Sequence, residues 1–287
     1  MQLTIFTPTY NRAHFLSKLY ESLVLQNIYS FVWLIVDDGS TDETQELIRQ
    51  FKSKSPFTIK YIRQENQGKH KAFNVAVENT TTDLFLTIDS DDTMMENSLE
   101  KISELLPFFL EDQNLAAICF PLYSGNVENA MTNKKINFDQ AILNSIELKN
   151  KYGITGEFSY LFKKDILKQF PFPQFSKEKF IKESVVYKRI DRIYKNLYVN
   201  LSIVKGEYLE GGLSSDFRKL LERNPVGSAL AYLETVNDDR LSLEEQKEAF
   251  RNYWYFAKLA NQYSTIERLF KVKNKSIIFN FLLQKLK

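Results

Sequence analysis

Residues 31–36 form an unbroken apolar run that stops at Asp37-Asp38-Gly39-Ser40. A run of this length, bounded by turn residues, is the pattern of a strand covered on both faces, as in a parallel sheet between helices. The neighbouring segments repeat the theme. Residues 3–6 read as a strand ending at Pro8-Thr9-Tyr10-Asn11, after which Phe15, Leu16, Leu19, Leu23 and Val24 recur at helical spacing. Thr41 is placed to cap a helix starting near Asp42, with Leu47, Ile48 and Phe51 on one face. A strand over 58–63, a helix over 68–79, a strand over 84–88, a helix over 97–110 and a strand over 116–122 complete the series. Such alternation predicts an α/β fold: a Rossmann-like, mainly parallel central sheet with helices on both faces.

Beyond residue 125 the pattern loosens. Residues 124–137 are polar and read as a loop, 158–162 as a strand, 183–194 as helical and 197–204 as extended. Pro171 and Pro173 mark an irregular connection. From about residue 214 the chain turns helical and aromatic. The expected division is therefore a domain over 1–212, with a ligand-binding half at 1–125 and a second half at 126–212, plus a helical appendage over 213–287.

Composition narrows the class. With 44% apolar and 26% charged residues, the chain is neither disordered nor collagenous, and its lone cysteine, Cys119, rules out a disulfide scaffold and suits a reducing compartment. A net charge of +2 argues against a general nucleic-acid binder. The N-terminus lacks a basic, then apolar leader, and no stretch approaches the ~20 apolar residues of a membrane span. Charge is uneven, however. Residues 265–287 carry net +5, leaving −3 for the rest.

The polar clusters that follow strands hold the chemistry. Parallel sheets bind ligands beyond the carboxyl ends of their strands, so 7–11, 37–40 and 89–92 should share one crevice. Asp89-Ser90-Asp91-Asp92 places like charges side by side. Either a solvated turn or a hard divalent cation with a diphosphate relieves that repulsion. Asp37 and Asp38 can accept hydrogen bonds from a base or a ribose, or simply form a turn and a helix cap.

Taken in order, Thr7-Pro8-Thr9-Tyr10-Asn11-Arg12, Val36-Asp37-Asp38-Gly39-Ser40, residues 68–74 and Asp89-Ser90-Asp91 resemble the family 2 glycosyltransferases of GT-A fold, of the bacterial surface-polysaccharide type. The resemblance is strong over 1–125 and traceable to about 215. It implies an inverting enzyme that moves a sugar from a nucleotide-diphosphate donor, a UDP-sugar, to a hydroxyl of a glycan or lipid-linked saccharide. Pro8, Tyr10, Asn11 and Arg12 would shape the nucleotide pocket. Asp38, supported by Asp37, would contact uracil and ribose. Lys69, His70 and Asn74 would face the diphosphate or donor sugar, at a helix N-terminus that favours anions. Asp89-Ser90-Asp91 looks like the family's DxD motif, with Asp91 as ligand of Mn²⁺ or Mg²⁺, Asp89 on ribose or a metal-bound water, and Asp92 as a competitor for the metal.

An inverting transfer needs a general base. In the family this is an acidic residue opening a helix, six residues before an arginine. Glu183 and Arg189 match that spacing, although Lys182 stands where the preceding acidic residue would be. Glu178 is the alternative. Competing readings are a non-catalytic partner subunit, a nucleotidyltransferase and, least of all, a haloacid-dehalogenase-type phosphatase using Asp89 as nucleophile. That last motif belongs after the first strand of its core, whereas three strands precede it here. The basic tail over 265–287 is expected either to lie on anionic membrane, giving a cytoplasmic protein peripheral at the inner face, or to pack on the core.

Overall fold

A computed structural model describes residues 3–123, 132–206, 216–261 and 264–285, with side chains of the last helix described to Leu282. Most of the loop expected at 124–137 lies outside the described residues. The chain divides into two compact units: Met1–Pro171 with Arg189–Leu209, and Phe172–Lys188 with Glu210–Lys287. The sequence reading kept 126–212 in one domain, whereas Phe172–Lys188 groups with the C-terminal helices.

The elements run β1 (Leu3–Thr9), α1 (Ala13–Val24), β2 (Phe31–Asp37), α2 (Thr44–Lys54), β3 (Thr58–Arg63), α3 (Lys69–Asn79), β4 (Leu84–Thr87), β5 (Thr93–Met94), α4 (Ser98–Glu111) and β6 (Leu115–Pro121). Then follow β7 (Gln140–Leu143), α5 (Ser145–Tyr152), β8 (Phe158–Lys163), α6 (Lys164–Gln169), α7 (Ser184–Asp191), β9 (Lys195–Val199) and β10 (Val204–Lys205). The C-terminal helices are α8 (Phe217–Arg223), α9 (Pro225–Val236), α10 (Leu243–Ala260), α11 (Thr265–Phe270) and α12 (Lys275–Lys285).

The main sheet of the first unit has eight strands in the order β3-β2-β1-β4-β8-β6-β9-β7. Strands β3, β2, β1 and β4 are parallel neighbours, whereas β8 runs antiparallel between β4 and β6, and β7 antiparallel at the edge. The chain winds from β1 to β2 and β3 on one side, then returns to place β4 on the other. This reversal is a topological switch point, the place beyond the carboxyl ends of β1 and β4 where open α/β sheets bind ligands.

Both faces of the sheet are covered, as the apolar runs required. On one face Leu3, Ile5, Trp33 and Ile35 pack with Leu16, Leu19 and Leu23 of α1, Ile48 and Phe51 of α2, and Leu99 and Ile102 of α4. On the other, Phe6 meets Phe73 of α3 edge-on at 5.7 Å and stacks on Phe85 at 5.5 Å. Trp33 is fully buried, and its indole N–H donates to Thr7 Oγ1 at 2.9 Å, so burial leaves no orphan donor.

Helix α2 starts two residues later than expected. The Asp42 carboxylate accepts from Thr44 N (3.2 Å) and Thr44 Oγ1 (2.6 Å) through Oδ1, and from Ala13 N (3.1 Å) through Oδ2. One aspartate thus caps α1 and α2 together, and takes the task assigned to Thr41.

In the second unit, α8 to α12 enclose Leu221, Val236, Phe250, Tyr253, Phe256, Val272 and Ile277. Helices α10 and α11 open with capping boxes, Ser242 with Glu245 and Ser264 with Glu267. The start of the basic tail is docked: Tyr253 donates to the Arg268 carbonyl at 3.0 Å, and Asn237 holds both Lys271 O (2.9 Å) and Lys273 N (2.8 Å).

Candidate active site

The strand ends named from sequence are laced to one another. The parallel register sets Thr9 beside Asp37 and Asp37 beside Arg63. Beyond it, Asp38 N donates to Thr9 O at 2.8 Å. Asn11 adopts a left-handed conformation (φ 53°), which asparagine tolerates better than most residues. That turn directs Asn11 N to Ser40 Oγ (2.9 Å) and lets Asn11 Oδ1 accept from Thr41 N (2.8 Å). Tyr10, beside it, is 46% exposed.

Asp37 and Asp38 are buried and bonded to their own chain. Asp37 accepts from Ser40 N (2.8 Å) and from the Tyr61 hydroxyl (2.6 Å). Burial, then the hydrogen bond and charge of Asp37, push the Tyr61 phenol well above its ordinary pKa. Asp38 accepts from Gln64 Nε2 (2.7 Å), Gln67 N (2.8 Å) and Gly68 N (2.7 Å). It therefore anchors the 64–68 turn that feeds α3, with about one of a carboxylate's four lone-pair sites left over. Gly39 (φ 88°) makes this possible: a Cβ there would lie 3.0 Å from Asn66 N. Tyr61 and Gln64 escaped the sequence reading. Their signal was positional, one two residues before and one just beyond the end of the strand paired with β2.

The Asp89–Asp92 turn follows β4, closed by Asp92 N donating to Asp89 O at 3.0 Å. Each outer aspartate of the Asp-Ser-Asp motif faces a cation from another strand end. Arg12 Nη1 lies 2.6 Å from Asp91 Oδ2, with side chains 27% and 18% exposed. Lys69 Nζ lies 2.8 Å from both oxygens of Asp89. Its hydrogen bond is directed at Oδ2, and Asp89 Oδ1 is buried without one. Ser90 and His70 are buried, the latter on the inner side of α3, and Asn74 is half-buried. The structure thus gathers Asn11, Arg12, Asp37, Asp38, Lys69, Asp89 and Asp91 at one end of the sheet.

The donor set suits a hard divalent cation. Among the described residues no three or more His, Cys, Asp or Glu side chains converge. A cation here would rest on Asp91 and on Oδ1 of Asp89, in competition with Lys69, with phosphate oxygens and water filling its other positions, as Mg²⁺ and Mn²⁺ allow.

The two candidate bases lie in the second unit. Glu183 is half-buried just before α7, its carbonyl accepting from Val186 N (3.0 Å) and Tyr187 N (3.1 Å), and Arg189 follows on the same helix. Glu178 is 5% exposed and uses both oxygens on the start of α9, from Val226 N (2.5 Å) and Gly227 N (2.6 Å). Lys182 is held by the Tyr232 hydroxyl (3.2 Å) and lies over the Tyr232 ring (4.3 Å).

Sheet order, switch point and strand-end carboxylates are those of a GT-A glycosyltransferase fold. The chain belongs to glycosyl transferase family 2, whose model matches residues 4–170. An uncharacterized glycosyltransferase of Nostoc is 34% identical over 105 residues, 37% of this chain and 33% of that protein. The chain thus spans about a third of the length of two curated relatives it matches, and less of others. The GalNAc(5)-diNAcBac-PP-undecaprenol beta-1,3-glucosyltransferase of Campylobacter jejuni is 24% identical over 290 residues, 94% of this chain and 87% of that one. Among solved structures, residues 1–349 of Staphylococcus aureus TarS superpose with a TM-score of 0.64 at 16% identity, covering 95% of this chain and 81% of that one. The same TarS fragment in complex with UDP-GlcNAc gives 0.60 at 20% identity, covering 96% and 77%.

Proposed function

We propose that this chain is an inverting glycosyltransferase that moves a sugar from a UDP-linked donor to a hydroxyl of a glycan or lipid-linked saccharide. The observation that supports this most is the meeting of Arg12 with Asp91 and Lys69 with Asp89 beyond the ends of β1 and β4. It supplies cations for a diphosphate and carboxylates for its metal in one place. Tyr10 offers an exposed ring to the base, and the remaining acceptor capacity of Asp38 suits a base N–H or a ribose hydroxyl.

In the reaction, the acceptor oxygen attacks the anomeric carbon while the bond from that carbon to the diphosphate oxygen breaks. Glu183 takes the acceptor proton. Arg12 and Lys69 attract the departing UDP, and positive charge aimed at a leaving group lowers the barrier most where charge grows. A divalent cation at Asp91 and Asp89 would supply further charge neutralisation of the diphosphate. Glu183 is preferred to Glu178 because both oxygens of Glu178 already serve α9.

We read the tail as a second, peripheral contact. No helix among the described residues is long and apolar enough to cross a membrane. Ile266 (66% exposed) and Phe270 (76%) share one side of α11, and Lys275, Phe279 (62%) and Leu282 (43%) one side of α12. Apolar residues among lysines suit an anionic lipid surface at the cytoplasmic face, where lipid-linked acceptors would sit.

The decisive experiment is a panel of nucleotide sugars with Mn²⁺, read by thermal stabilisation and by release of the free nucleotide diphosphate. Stabilisation and turnover with a UDP-sugar are expected. Absence of both with every UDP-sugar would sink the proposal.

A further inference from the structure

The Asp-Ser-Asp motif is already neutralised by the chain itself. Arg12 Nη1 sits 2.6 Å from Asp91 Oδ2 in a partly buried pair, and Lys69 Nζ sits 2.8 Å from Asp89. These cations arrive on separate strand ends, one just past β1 and the other opening α3. Neighbouring carboxylates at a sheet end repel, and internal counter-cations relieve that repulsion without any ligand. The same arrangement sets up a competition. A divalent cation seeking Asp91 meets a guanidinium already there, and one seeking Asp89 meets an ammonium. A diphosphate, which carries the opposite charge, attracts those two side chains and weakens their hold on the carboxylates.

We propose that Arg12, with Lys69 beside it, is a resident counter-cation that exchanges its aspartate for the donor diphosphate, so that nucleotide and divalent cation load cooperatively. This rests on the reading of the site as a nucleotide-diphosphate site. Each ligand removes the other's competitor: the anion draws Arg12 off Asp91, and the metal frees Arg12 for the anion. Linkage makes the effect reciprocal, so the factor by which UDP tightens the metal equals the factor by which the metal tightens UDP. A guanidinium suits this role, because its fork matches carboxylate and phosphate equally well and never loses its charge.

The test is titration calorimetry on the full chain with Mn²⁺ alone, UDP alone and each in the presence of the other. For the native chain, UDP should tighten Mn²⁺ roughly tenfold or more, within the usual 5–150-fold span of coupling. Arg12→Gln removes the competitor, so Mn²⁺ alone should bind about fivefold tighter than to the native chain, while the coupling factor falls below the native value and keeps only the part due to direct ligation and to Lys69. Arg12→Lys should restore part of the coupling. A purely structural role for Arg12 predicts instead weaker binding of both ligands and a lowered melting temperature. If Mn²⁺ alone binds Arg12→Gln no more tightly than it binds the native chain, the exchange is overturned, and that includes the case in which neither binds Mn²⁺. The comparison with Mn²⁺ alone needs no nucleotide. Failure of UDP to bind the native chain would therefore overturn the donor reading, while the Mn²⁺ comparison would still decide the competition at Asp91.

Discussion

Glu178 lays one carboxylate oxygen 2.6 Å from the backbone N–H of Gly227, and the other on Val226, at the start of α9. Helix α9 has no capping side chain at Asn224, so a glutamate 49 residues earlier in sequence satisfies its free amides. Removing it strands the buried Gly227 amide and the part-buried Val226 amide. Glu178→Ala should lower stability by about 2–4 kcal/mol in urea denaturation, at about 1–3 kcal/mol per unsatisfied group after relaxation. Loss of less than half a kcal/mol would show that the cap is dispensable.

The same carboxylate predicts a pH dependence. Burial raises its pKa above the ordinary 4.5, against the opposing pull of the Gly227 and Val226 amides. A raised value means that the folded chain binds the proton more tightly than the unfolded chain. The part of stability linked to its protonation is therefore present below about pH 4.5 and lost as pH rises through the raised value. Glu178→Gln should remove that component from a stability-versus-pH curve. An unchanged curve would reject the assignment.

Asp91→Asn tests the diphosphate site. Transfer should fall about 10²–10³-fold, as when one preorganised charge partner is lost. Metal-dependent UDP binding should weaken in parallel, measured by calorimetry. Near-native turnover in this variant would move the metal role elsewhere, with Asp92 next in line.

Glu183→Gln separates binding from chemistry. The rate of transfer should drop by about 10²–10⁴-fold, the range for a general base. UDP affinity should not change, because nothing in the proposal places Glu183 on the nucleotide. A variant that still transfers at the native rate would exclude Glu183 as base.

The tail reading has its own measurement. Replacing Phe270 and Phe279 together by serine should leave the melting temperature within a degree or so, since both are mostly exposed. Sedimentation with phosphatidylglycerol vesicles should fall markedly, while neutral vesicles recover little of either chain. Equal recovery of variant and native chain on the acidic vesicles would remove the membrane role.

The first half of the fold was legible because buried parallel strands write themselves as unbroken apolar runs and their ends as polar clusters. Residues 31–36 are the clearest case, matching β2. What escaped depended on distant pairing. The short edge strand β7, Gln140–Leu143, has no pattern of its own and exists by pairing with β9. The position of β8 between β4 and β6 likewise comes from partners that a local window does not contain. Two adjacent residues, Thr41 and Asp42, are equally good caps in sequence, and the distant Ala13 amide decides between them. The gathering of Arg12 and Lys69 around the Asp-Ser-Asp turn was legible as a list of residues, but not as pairs. The capping role of Glu178 was not legible, because its partners, the amides of Val226 and Gly227, carry no side-chain signature.

The segment bearing Glu183 draws its support from far along the chain. Asn224 receives the amides of Lys179 and Phe180, Tyr232 holds Lys182, and Thr235 receives Lys188. A chain ending near residue 212 would keep every strand end proposed to handle the nucleotide, yet lose the scaffold on which its proposed proton acceptor is mounted. Ribosomal synthesis must therefore pass residue 235 before this stretch can assume its final form. Mutational drift in the C-terminal helices that brace this segment is expected to register first as lost turnover with nucleotide affinity preserved.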